Sequence, residues 1–336
     1  MEQGLSIEQL KNLKLKLDML GIYNIIRNDI ITYEIDGKFV DLLNSFLLVV
    51  DENNNYTLYI PYESNVIDLA YNDNGVTMSY GLFYDKPIKR EEHKVLGSMS
   101  LINVFTHIRN EVGTKNISEL KVIGGEGLVT CKSMFYCIKA NKIDLTEFRP
   151  INALDFSEAF QNCNVNIIKC TGLRMDNAID VTKLFDGASI GTLYCRDMYM
   201  PKIRNLRALL SNTTITLIDK LNFDLTKIND IQYMFYNATF LCNLDLSELD
   251  TSHVCLMERL FYKMNCDQLN LSNFSIDSLK YSKHSKHSRE AMFFESIVSN
   301  NSILESTDKK FNTYMKKYAR YEKTINDKIR ITIRYK

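Results

Sequence analysis

The sequence predicts an α/β repeat solenoid, in which coils of about 25 residues stack and their strands form a parallel sheet. Three observations favour this class: a fixed period through the middle of the chain, an alternating strand pattern within each period, and a composition of 45% apolar and 24% charged residues. That composition is ordinary for a chain that buries a core. With only 13 Gly and 4 Pro but 17 Phe and 19 Tyr, collagen-like chains and wholesale disorder are excluded.

The period is carried by two columns of apolar residues that recur every 25 or 26 positions. The first column consists of Met134-Phe135, Ala159-Phe160, Leu184-Phe185, Leu209-Leu210, Met234-Phe235 and Leu260-Phe261. The second consists of Ile143-x-Leu145, Ile168-x-Cys170, Leu193-x-Cys195, Ile218-x-Lys220, Leu244-x-Leu246 and Leu269-x-Leu271. Fixed periods of 20 to 50 residues are typical of solenoids and related repeat folds.

Each repeat contains one segment with strand spacing and one with helical spacing. The L-x-L segment alternates with period two and predicts a short strand. The apolar pair lies in a segment such as Ile231–Phe235, whose i, i+3 and i+4 pattern predicts one or two helical turns. One such unit cannot bury its apolar face alone, so we expect the units to stack and their strands to pair at about 4.8 Å.

The fifth repeat resembles a known repeat family. Met234-Phe235-Tyr236 is followed by L-D-L-S-E-L-D-T-S-H-V over residues 244–254. This stretch is similar to the repeat of the BspA-like bacterial surface-protein family of leucine-rich-repeat-like solenoids, and the resemblance covers about residues 130–279. It implies a right-handed stacked solenoid that binds other macromolecules.

The outward residues of the predicted strands are the first candidate binding site. The positions that we expect to contact a partner are Lys169, Tyr194, Arg196, Asp219 and Asp245. Tyr194 and Arg196 lie near the middle of this face, and Tyr and Arg are enriched at interface hot spots. An ordinary solvated surface explains the same residues, because one Tyr and one Arg among a dozen positions is unexceptional.

Residues 1–100 do not share the period and predict a small α+β domain. Ser6 precedes an amphipathic helix pattern that extends to Leu20, and Phe46–Val50 and Tyr56–Ile60 flank a polar turn. Residues 101–128, with the strand-like Leu120-Lys121-Val122, predict a capping coil. The solenoid with its cap is therefore expected over residues 101–279.

Residues 280–336 form the third predicted region, which is basic. It carries 14 Lys and Arg against 6 Asp and Glu, so the net charge of zero hides an acidic body and a basic end. We expect a basic linker over 280–289, an amphipathic helix and a terminal strand. The apolar stripe of that helix is Phe311, Tyr314, Met315, Tyr318, Tyr321 and Ile325.

Two interpretations of the basic region compete. In one, its cations bind a polyanion such as nucleic acid; the candidate contacts are Lys309, Lys310, Lys316, Lys317, Arg320, Arg330 and Arg334. In the other, which we favour, the aromatic stripe packs as core and the basic face is solvated.

Motifs of catalysis and of cofactor binding are absent from the sequence. It contains no P-loop, dinucleotide, nucleophile-elbow or H-E-x-x-H pattern. We therefore expect no enzyme, no cofactor and no metal. His284 and His287 form a pair without a third ligand nearby, and an undetected active site in the N-terminal region is the open alternative.

The location and function follow as expectations. The charged first 18 residues predict no signal peptide, no apolar run approaches the roughly 20 residues of a membrane span, and eight Cys without a C-x-x-C pair predict buried thiols in a reducing cytoplasm. We expect an intracellular protein that docks a protein or ribonucleoprotein partner on its solenoid. The alternative is a phage-type or mobile-element-type inhibitor of a host nucleic-acid machine, with the basic end contacting nucleic acid.

Overall fold

The three-dimensional structure is a computed structural model. It describes residues 24–27, 30–35, 38–41, 46–50, 55–60, 71–72, 75–77, 81–83, 92–93, 117–126, 128, 130–279, 292–293, 295–299, 301–324 and 328–333. The predicted Ser6 helix, the basic linker at 280–289, Ile325 and Arg334 lie outside these residues.

The described residues form strands and one helix. The strands are β1 (Asn24–Arg27), β2 (Ile30–Ile35), β3 (Lys38–Asp41), β4 (Phe46–Val50), β5 (Asn55–Ile60), β6 (Tyr71–Asn72), β7 (Gly75–Thr77), β8 (Gly81–Phe83), β9 (Glu92–His93), β10 (Ile117–Gly124), β11 (Lys139–Phe148), β12 (Asn164–Lys169), β13 (Ser189–Tyr194), β14 (Thr214–Ile218), β15 (Thr239–Asp245), β16 (Asn265–Asn270), β17 (Ser296–Ser299), β18 (Ala319–Lys323) and β19 (Lys328–Ile333). The helix, α1, is Lys309–Tyr318.

One long sheet dominates the architecture. Its order is β18-β19-β17-β16-β15-β14-β13-β12-β11-β10-β5-β4-β8, and β10 to β17 are all parallel to one another. The hairpin β18–β19 joins β17 in antiparallel orientation. Two small antiparallel sheets, β1-β2-β3 and β6-β7-β9, complete the described strands.

The predicted repeat solenoid is confirmed. Asn164 lies beside Ser189, Ser189 beside Thr214 and Thr214 beside Thr239, each 25 residues further along the chain. The step from Thr239 to Asn265 is 26 residues, which places the extra residue in the fifth coil. Sequence spacing thus becomes strand register, because each coil must present the same apolar positions to its neighbours.

The strands begin earlier than the L-x-L pattern predicts. β12 covers Asn164–Lys169, so Ile168 is near its end and Cys170 already lies in the following turn. Arg196 likewise lies beyond the end of β13, and Leu221, beyond the end of β14, is buried. In most coils the second residue of the L-x-L, such as Cys170, therefore starts a turn with its side chain inward. Leu145 differs because it lies within β11, and Lys220 differs because it is partly exposed.

The predicted helical turns of the coils are wrong: between residues 130 and 279 these segments are successive tight turns. Each coil contains two residues in the left-handed region four positions apart, as at Glu158 and Asn162 or Tyr233 and Asn237. A right-handed helix does not accommodate such residues. In successive three-residue turns, the side chains at i, i+3 and i+4 also point into the core. Ile231, Met234 and Phe235 therefore have the same spacing that buried residues have in a helix.

The backbone N–H groups of these turns bond alternately to the next coil and within their own coil. The N–H of Phe160 donates to the carbonyl of Leu184 at 2.8 Å, and that of Asn162 donates to Asp186 at 2.9 Å. The intervening N–H of Gln161 donates three residues back, to Glu158, at 3.0 Å. Every second N–H of these turns donates to the next coil, so it cannot form the i→i−4 hydrogen bond of an α-helix. The coils are therefore those of a β-solenoid.

Aromatic rings fill the core in a column. Phe135, Phe160 and Phe185 stack with centroids 4.7 and 4.9 Å apart, and Leu210 occupies the same column in the fourth coil. The column resumes as Phe235, Phe261 and Phe293, with centroids 5.5 and 4.7 Å apart. These phenylalanines are almost fully buried.

Phe293 reveals a partial seventh coil that the period did not predict. Met292-Phe293 repeats the apolar pair 32 residues after Phe261. The N–H of Phe261 donates to the carbonyl of Met292 at 2.8 Å, and Ile303 exchanges backbone hydrogen bonds with Leu269 and Leu271. The stack therefore continues past the predicted end at residue 279.

Helix α1 closes the end of the stack. Its apolar stripe was predicted to pack as core, and Phe311, Tyr314 and Met315 of this stripe are buried. The stripe ends sooner than expected, because Ala319 begins β18. Tyr321 therefore lies in a strand and is 49% exposed. The predicted terminal strand is present as β19, with Ile331 buried.

The long sheet crosses both predicted domain boundaries. β5 pairs with β10 in parallel, which links the N-terminal region to the first coils, and β16 pairs with β17 at the other end. β4 and β5 pair in antiparallel orientation, and β10 contains Leu120-Lys121-Val122. The boundaries at 100 and 280 stay a prediction.

Candidate interaction surfaces

The outward residues of β11 to β16 form a surface that we call the sheet face. Its first row runs in register across six strands. The row is Lys139, Asn164, Ser189, Thr214, Thr239 and Asn265. Short polar side chains dominate this row and leave the sheet face flat at this position.

Each of these strands leaves two successive residues at least partly exposed in its middle, and β15 leaves three, Leu241, Cys242 and Asn243. In β12 the side chains of Val165 and Ile168 are buried, whereas Asn166 and Ile167 between them point outward. The pairing register skips the position of Asn166, so the strand is locally irregular. Asn166 donates to the side chain of Asn141 at 3.2 Å, and Gly191 in the next coil leaves room for it.

Two exposed leucines interrupt the polar character of the sheet face. Leu217 in β14 is 49% exposed and Leu241 in β15 is 52% exposed. Tyr194, 37% exposed, ends the neighbouring strand β13. These three exposed residues lie on three consecutive strands, in the third to fifth coils, and we call them the apolar spot.

Two of the predicted contact residues lie side by side in the structure. Lys169 and Tyr194 end adjacent strands and are partners in register. Arg196 is exposed two residues beyond Tyr194, and its carbonyl accepts from the N–H of Gly172 at 2.8 Å. The structure therefore brings Lys169, Tyr194 and Arg196 to one corner of the sheet face.

Asp219 and Asp245 hold backbone turns. The Asp219 carboxylate accepts from the N–H groups of Cys195 at 2.9 Å and Lys220 at 2.7 Å. That of Asp245 accepts from the N–H of Ser247 at 2.9 Å. Such bonds favour turns at these positions, so both aspartates have a structural reason to be present. Their contact with a partner stays a prediction.

The turn side of the solenoid carries a tyrosine–arginine cluster that sequence reasoning missed. The Tyr233 ring lies between two guanidinium groups, with Arg207 at 5.2 Å and Arg259 at 5.7 Å from its centroid. Tyr236 and Tyr262 stack beside it at 5.1 Å. A tyrosine directly after the apolar pair, in the fifth and sixth repeats, was the signal that could have found it.

The charges of this cluster are internally balanced. Glu258 accepts from the Tyr233 hydroxyl at 3.4 Å and lies 3.8 Å from Arg259. Burial raises the pKa of Asp230, against the opposing effects of the Gln232 N–H and Arg207. Lys263 lies 3.7 Å from Glu295. The cluster is therefore pre-organised but not strongly basic.

Helix α1 presents a different surface, which we call the basic helix face: Lys309, Lys316 and Lys317. All three residues are exposed. The Lys317 ammonium lies 5.0 Å from the Tyr318 ring centroid. The predicted contact Arg320 lies in β18 instead, on the same side of the strand as Glu322, and donates to the carbonyl of Ala319 at 3.3 Å. Lys310, by contrast, pairs with Asp277 at 2.5 Å.

A groove of about 490 Å³ lies where the parallel strands meet the hairpin. Asn265, Ile297, Arg330 and Glu322 cross its floor in register, so it extends the first row of the sheet face. Lys328 in its wall pairs with Asp267 at 3.1 Å. Arg330 therefore lies on the sheet side of the molecule, away from the side chains that α1 buries.

The eight cysteines are all free, and Cys131, Cys163, Cys170, Cys195 and Cys266 are buried. Burial raises the pKa of Cys163 and that of Cys266 to about 12. The thiolate is the reactive form, so these two thiols are unreactive near neutral pH. Cys137, Cys242 and Cys255 are partly exposed.

Within the residues that the structure describes, no three His, Cys, Asp or Glu side chains are grouped so that they could hold a metal ion. No helix in the same part of the chain has the length and apolar character to cross a membrane.

Comparison with known proteins gives one similarity. Residues 204–330 match the model of a family described as Mycoplasma protein of unknown function, DUF285. The match runs from the fourth coil to β19 and so includes the seventh coil, α1 and the hairpin. No curated protein and no solved structure matches the chain. The chain is thus similar to this family over less than half of its length, and the closer BspA-like resemblance stays a prediction.

Proposed function

We propose that this protein is a non-enzymatic binding protein that docks a protein partner on its sheet face. One observation carries the proposal: Leu217 and Leu241 are about half exposed on adjacent strands of an otherwise polar surface. Exposed apolar side chains grouped within a polar rim are typical of protein interfaces.

Three neighbouring residues add to this spot. Tyr194 and Lys169 are paired in register, and Arg196 follows the strand end. Tyr and Arg supply large contact area and directional hydrogen bonds, which is why they are enriched at hot spots. A partner that covers the leucines would also reach this corner.

The dimensions of the sheet face suit a macromolecular partner. Six strands at about 4.8 Å and five or six residues at about 3.3 Å each give a face of roughly 25 by 18 Å. The flat area of this face, about 450 Å², is a little more than half of the roughly 800 Å² per partner of a standard interface, and the groove at its end extends it. The irregular middle of each strand exposes extra side chains to such a partner.

The experiment is affinity capture from the native host with full-length protein. The test variant replaces Leu217 and Leu241 by Ser. The matched control replaces Leu154 and Ile179 by Ser, because these are also exposed, at 43% and 58%, but lie outside the six strands. We expect the test variant to lose at least 90% of the captured partner, as loss of hot-spot residues does, and the control to retain it.

Two outcomes contradict the proposal. A partner that the Leu217→Ser, Leu241→Ser variant retains does not bind the apolar spot. A partner that both variants lose equally depends on general surface hydrophobicity. The inhibitor hypothesis and the intracellular location stay predictions, since no contact among the described residues favours either of them.

A further inference from the structure

Some cations of the coils form ion pairs with a neighbouring carboxylate. Lys142 lies 2.7 Å from Glu119 and Lys220 lies 2.5 Å from Glu248. Around α1, in the described part of the chain, no carboxylate oxygen lies within 4 Å of the cationic groups of the face. Three positive charges of α1 are thus exposed without a carboxylate partner.

The carboxylates near this end are already engaged elsewhere. Asp308 accepts from the backbone N–H groups of Ile276 and Lys310, and Asp277 pairs with Lys310. Glu322 lies opposite Arg330 in the hairpin, on the sheet side. Glu305 is close enough to Tyr321 to help burial raise the pKa of that phenol. None of them forms an ion pair with the basic helix face.

The chemistry of the face favours one class of partner. Protein interfaces draw affinity from apolar hot spots, yet the apolar residues of α1, Phe311, Tyr314 and Met315, are buried in the core. The same burial leaves no apolar face of the helix to enter a lipid surface, which interfacial helices require. A nucleic acid needs neither, because contacts with phosphates alone supply its non-specific binding.

The length of the face also fits a phosphodiester chain. At 1.5 Å per residue, Lys309 and Lys317 are about 12 Å apart along the helix axis. Phosphates of one strand recur about every 3.4 Å along a duplex axis. The face is therefore about as long as three or four consecutive phosphates of one strand.

We propose that the basic helix face binds the phosphodiester backbone of a nucleic acid, at a site separate from the sheet face. Binding is independent of base sequence, because the face offers cations and no groups arranged to read base edges. The site lies at the closed end of the solenoid, so a partner on the sheet face and a nucleic acid could be held together.

The test measures binding of a labelled oligothymidylate of about 20 nucleotides, and of a duplex of the same length, to the full chain at about 50 mM salt. The test variant carries Lys309→Gln, Lys316→Gln and Lys317→Gln. Each phosphate contact contributes about 0.7 to the slope of log affinity against log salt for single strands. We therefore expect the variant to bind at least tenfold more weakly and its slope to be smaller by about 2.

The matched control carries Lys132→Gln, Lys183→Gln and Lys227→Gln, which are exposed residues of the coils. It changes net charge equally, so unchanged affinity there assigns binding to the basic helix face. Circular dichroism checks that both variants fold. The Leu217→Ser, Leu241→Ser variant should bind the oligonucleotide normally, which separates this site from the proposed docking function.

Three results would overturn the proposal. The first is that the unmodified protein binds neither oligonucleotide at low salt. The second is an equal loss of affinity in the test and control variants. The third is that a glutamate peptide of about 20 residues, or vesicles rich in anionic lipid, competes as well as the oligonucleotide, which would assign the face to an acidic protein or a membrane surface.

Discussion

The middle coils and the C-terminal end of the solenoid are stabilised in different ways. In the middle, a side chain meets its equivalent 25 residues later: Phe160 stacks on Phe185, and Asn166 donates to Asn141. At the end, contacts occur once. Asp308 begins α1 and anchors it to the sixth coil, and β19 pairs with β17 in antiparallel orientation.

This difference shows how a repeat is stopped. A parallel coil always offers the next coil the same unpaired edge, so repetition alone provides no end. The antiparallel hairpin and the capped helix close the stack with residues that no other coil contains. We therefore expect the middle to be stabilised by many equivalent contacts and the end to depend on a few.

The largest expected effect is from Phe185→Ala in the aromatic column. Removing a ring that is almost fully buried costs about 4 kcal/mol of the free energy of unfolding, which urea denaturation measures. The comparison variant is Phe293→Ala. We expect it to unfold the C-terminal end of the stack locally and to lower the urea midpoint of the main unfolding transition less than Phe185→Ala does. Equal effects of the two variants would mean that the end and the middle unfold as one unit.

Asp308→Ala tests the anchor of the end. Burial acts to raise the pKa of Asp308, but the N–H groups of Ile276 and Lys310 and the Ser275 hydroxyl outweigh it and hold the pKa below its ordinary value. We expect a loss of about 2 kcal/mol, seen by hydrogen exchange as faster opening of α1 and not of β12. Uniform opening of both would contradict a local anchor.

The lowered pKa of Asp308 also predicts a pH dependence. A carboxylate that is stabilised in the folded state contributes its full stability above its ordinary pKa, near 4, and loses it as pH falls through the folded value. The opening of α1 that hydrogen exchange measures, after correction for the intrinsic exchange rate at each pH, should therefore become more frequent in that acidic window. Asp308→Asn keeps a capping side chain but cannot titrate, so it should lack this acceleration.

Gly191→Ala tests the irregular middle of the strands. An ideal Cβ at Gly191 would lie 2.5 Å from the carbonyl oxygen of Asn166, so the neighbouring strand must shift, at a cost of about 1.5 kcal/mol. Thr216→Ala, at the same position one coil later, is the control and should change stability little. If Gly191→Ala leaves the thermal unfolding temperature unchanged, the strands pack less closely at this position than described.

Thiol labelling perturbs the protein least of these experiments, and it tests whether the core is closed along all the coils. At pH 8 the five buried cysteines should stay unlabelled, because the core excludes the reagent and their thiols remain protonated. Only Cys137, Cys242 and Cys255 should react, and all eight should react in denaturant. Fast labelling of Cys170 in the native protein would contradict a closed core.

The sequence predicted the stacking and its register because the same apolar positions must recur in every coil. It misplaced the ends of most strands, since the second residue of an L-x-L, such as Cys170, can be apolar in a turn as well as in a strand. It missed the seventh coil because residues between Leu279 and Met292 lengthen the spacing to Phe293. It missed the tyrosine–arginine cluster because periodic columns report burial, whereas Tyr233 and Arg207 meet on the surface.

Helix and turn could not be separated by spacing alone. Ile231, Met234 and Phe235 are inward in either case, and only the left-handed residues Tyr233 and Asn237 decide between them. Non-glycine residues adopt that conformation uncommonly, so nothing in their identity announced it. Among the candidate site residues, Lys169 and Tyr194 were correctly placed on neighbouring strands because strand register follows the period.

The central claim is the parallel register of consecutive coils, and disulfide trapping tests it most directly. With Ser189→Cys and Thr214→Cys, partners in register on adjacent strands, the Cα atoms should be about 5 Å apart, within the range that a disulfide spans. The control pair, Asn164→Cys with Thr214→Cys, is two strands apart at roughly 10 Å. Mild oxidation followed by peptide mass spectrometry should find the first disulfide and not the second; the reverse, or equal yields, would contradict the solenoid.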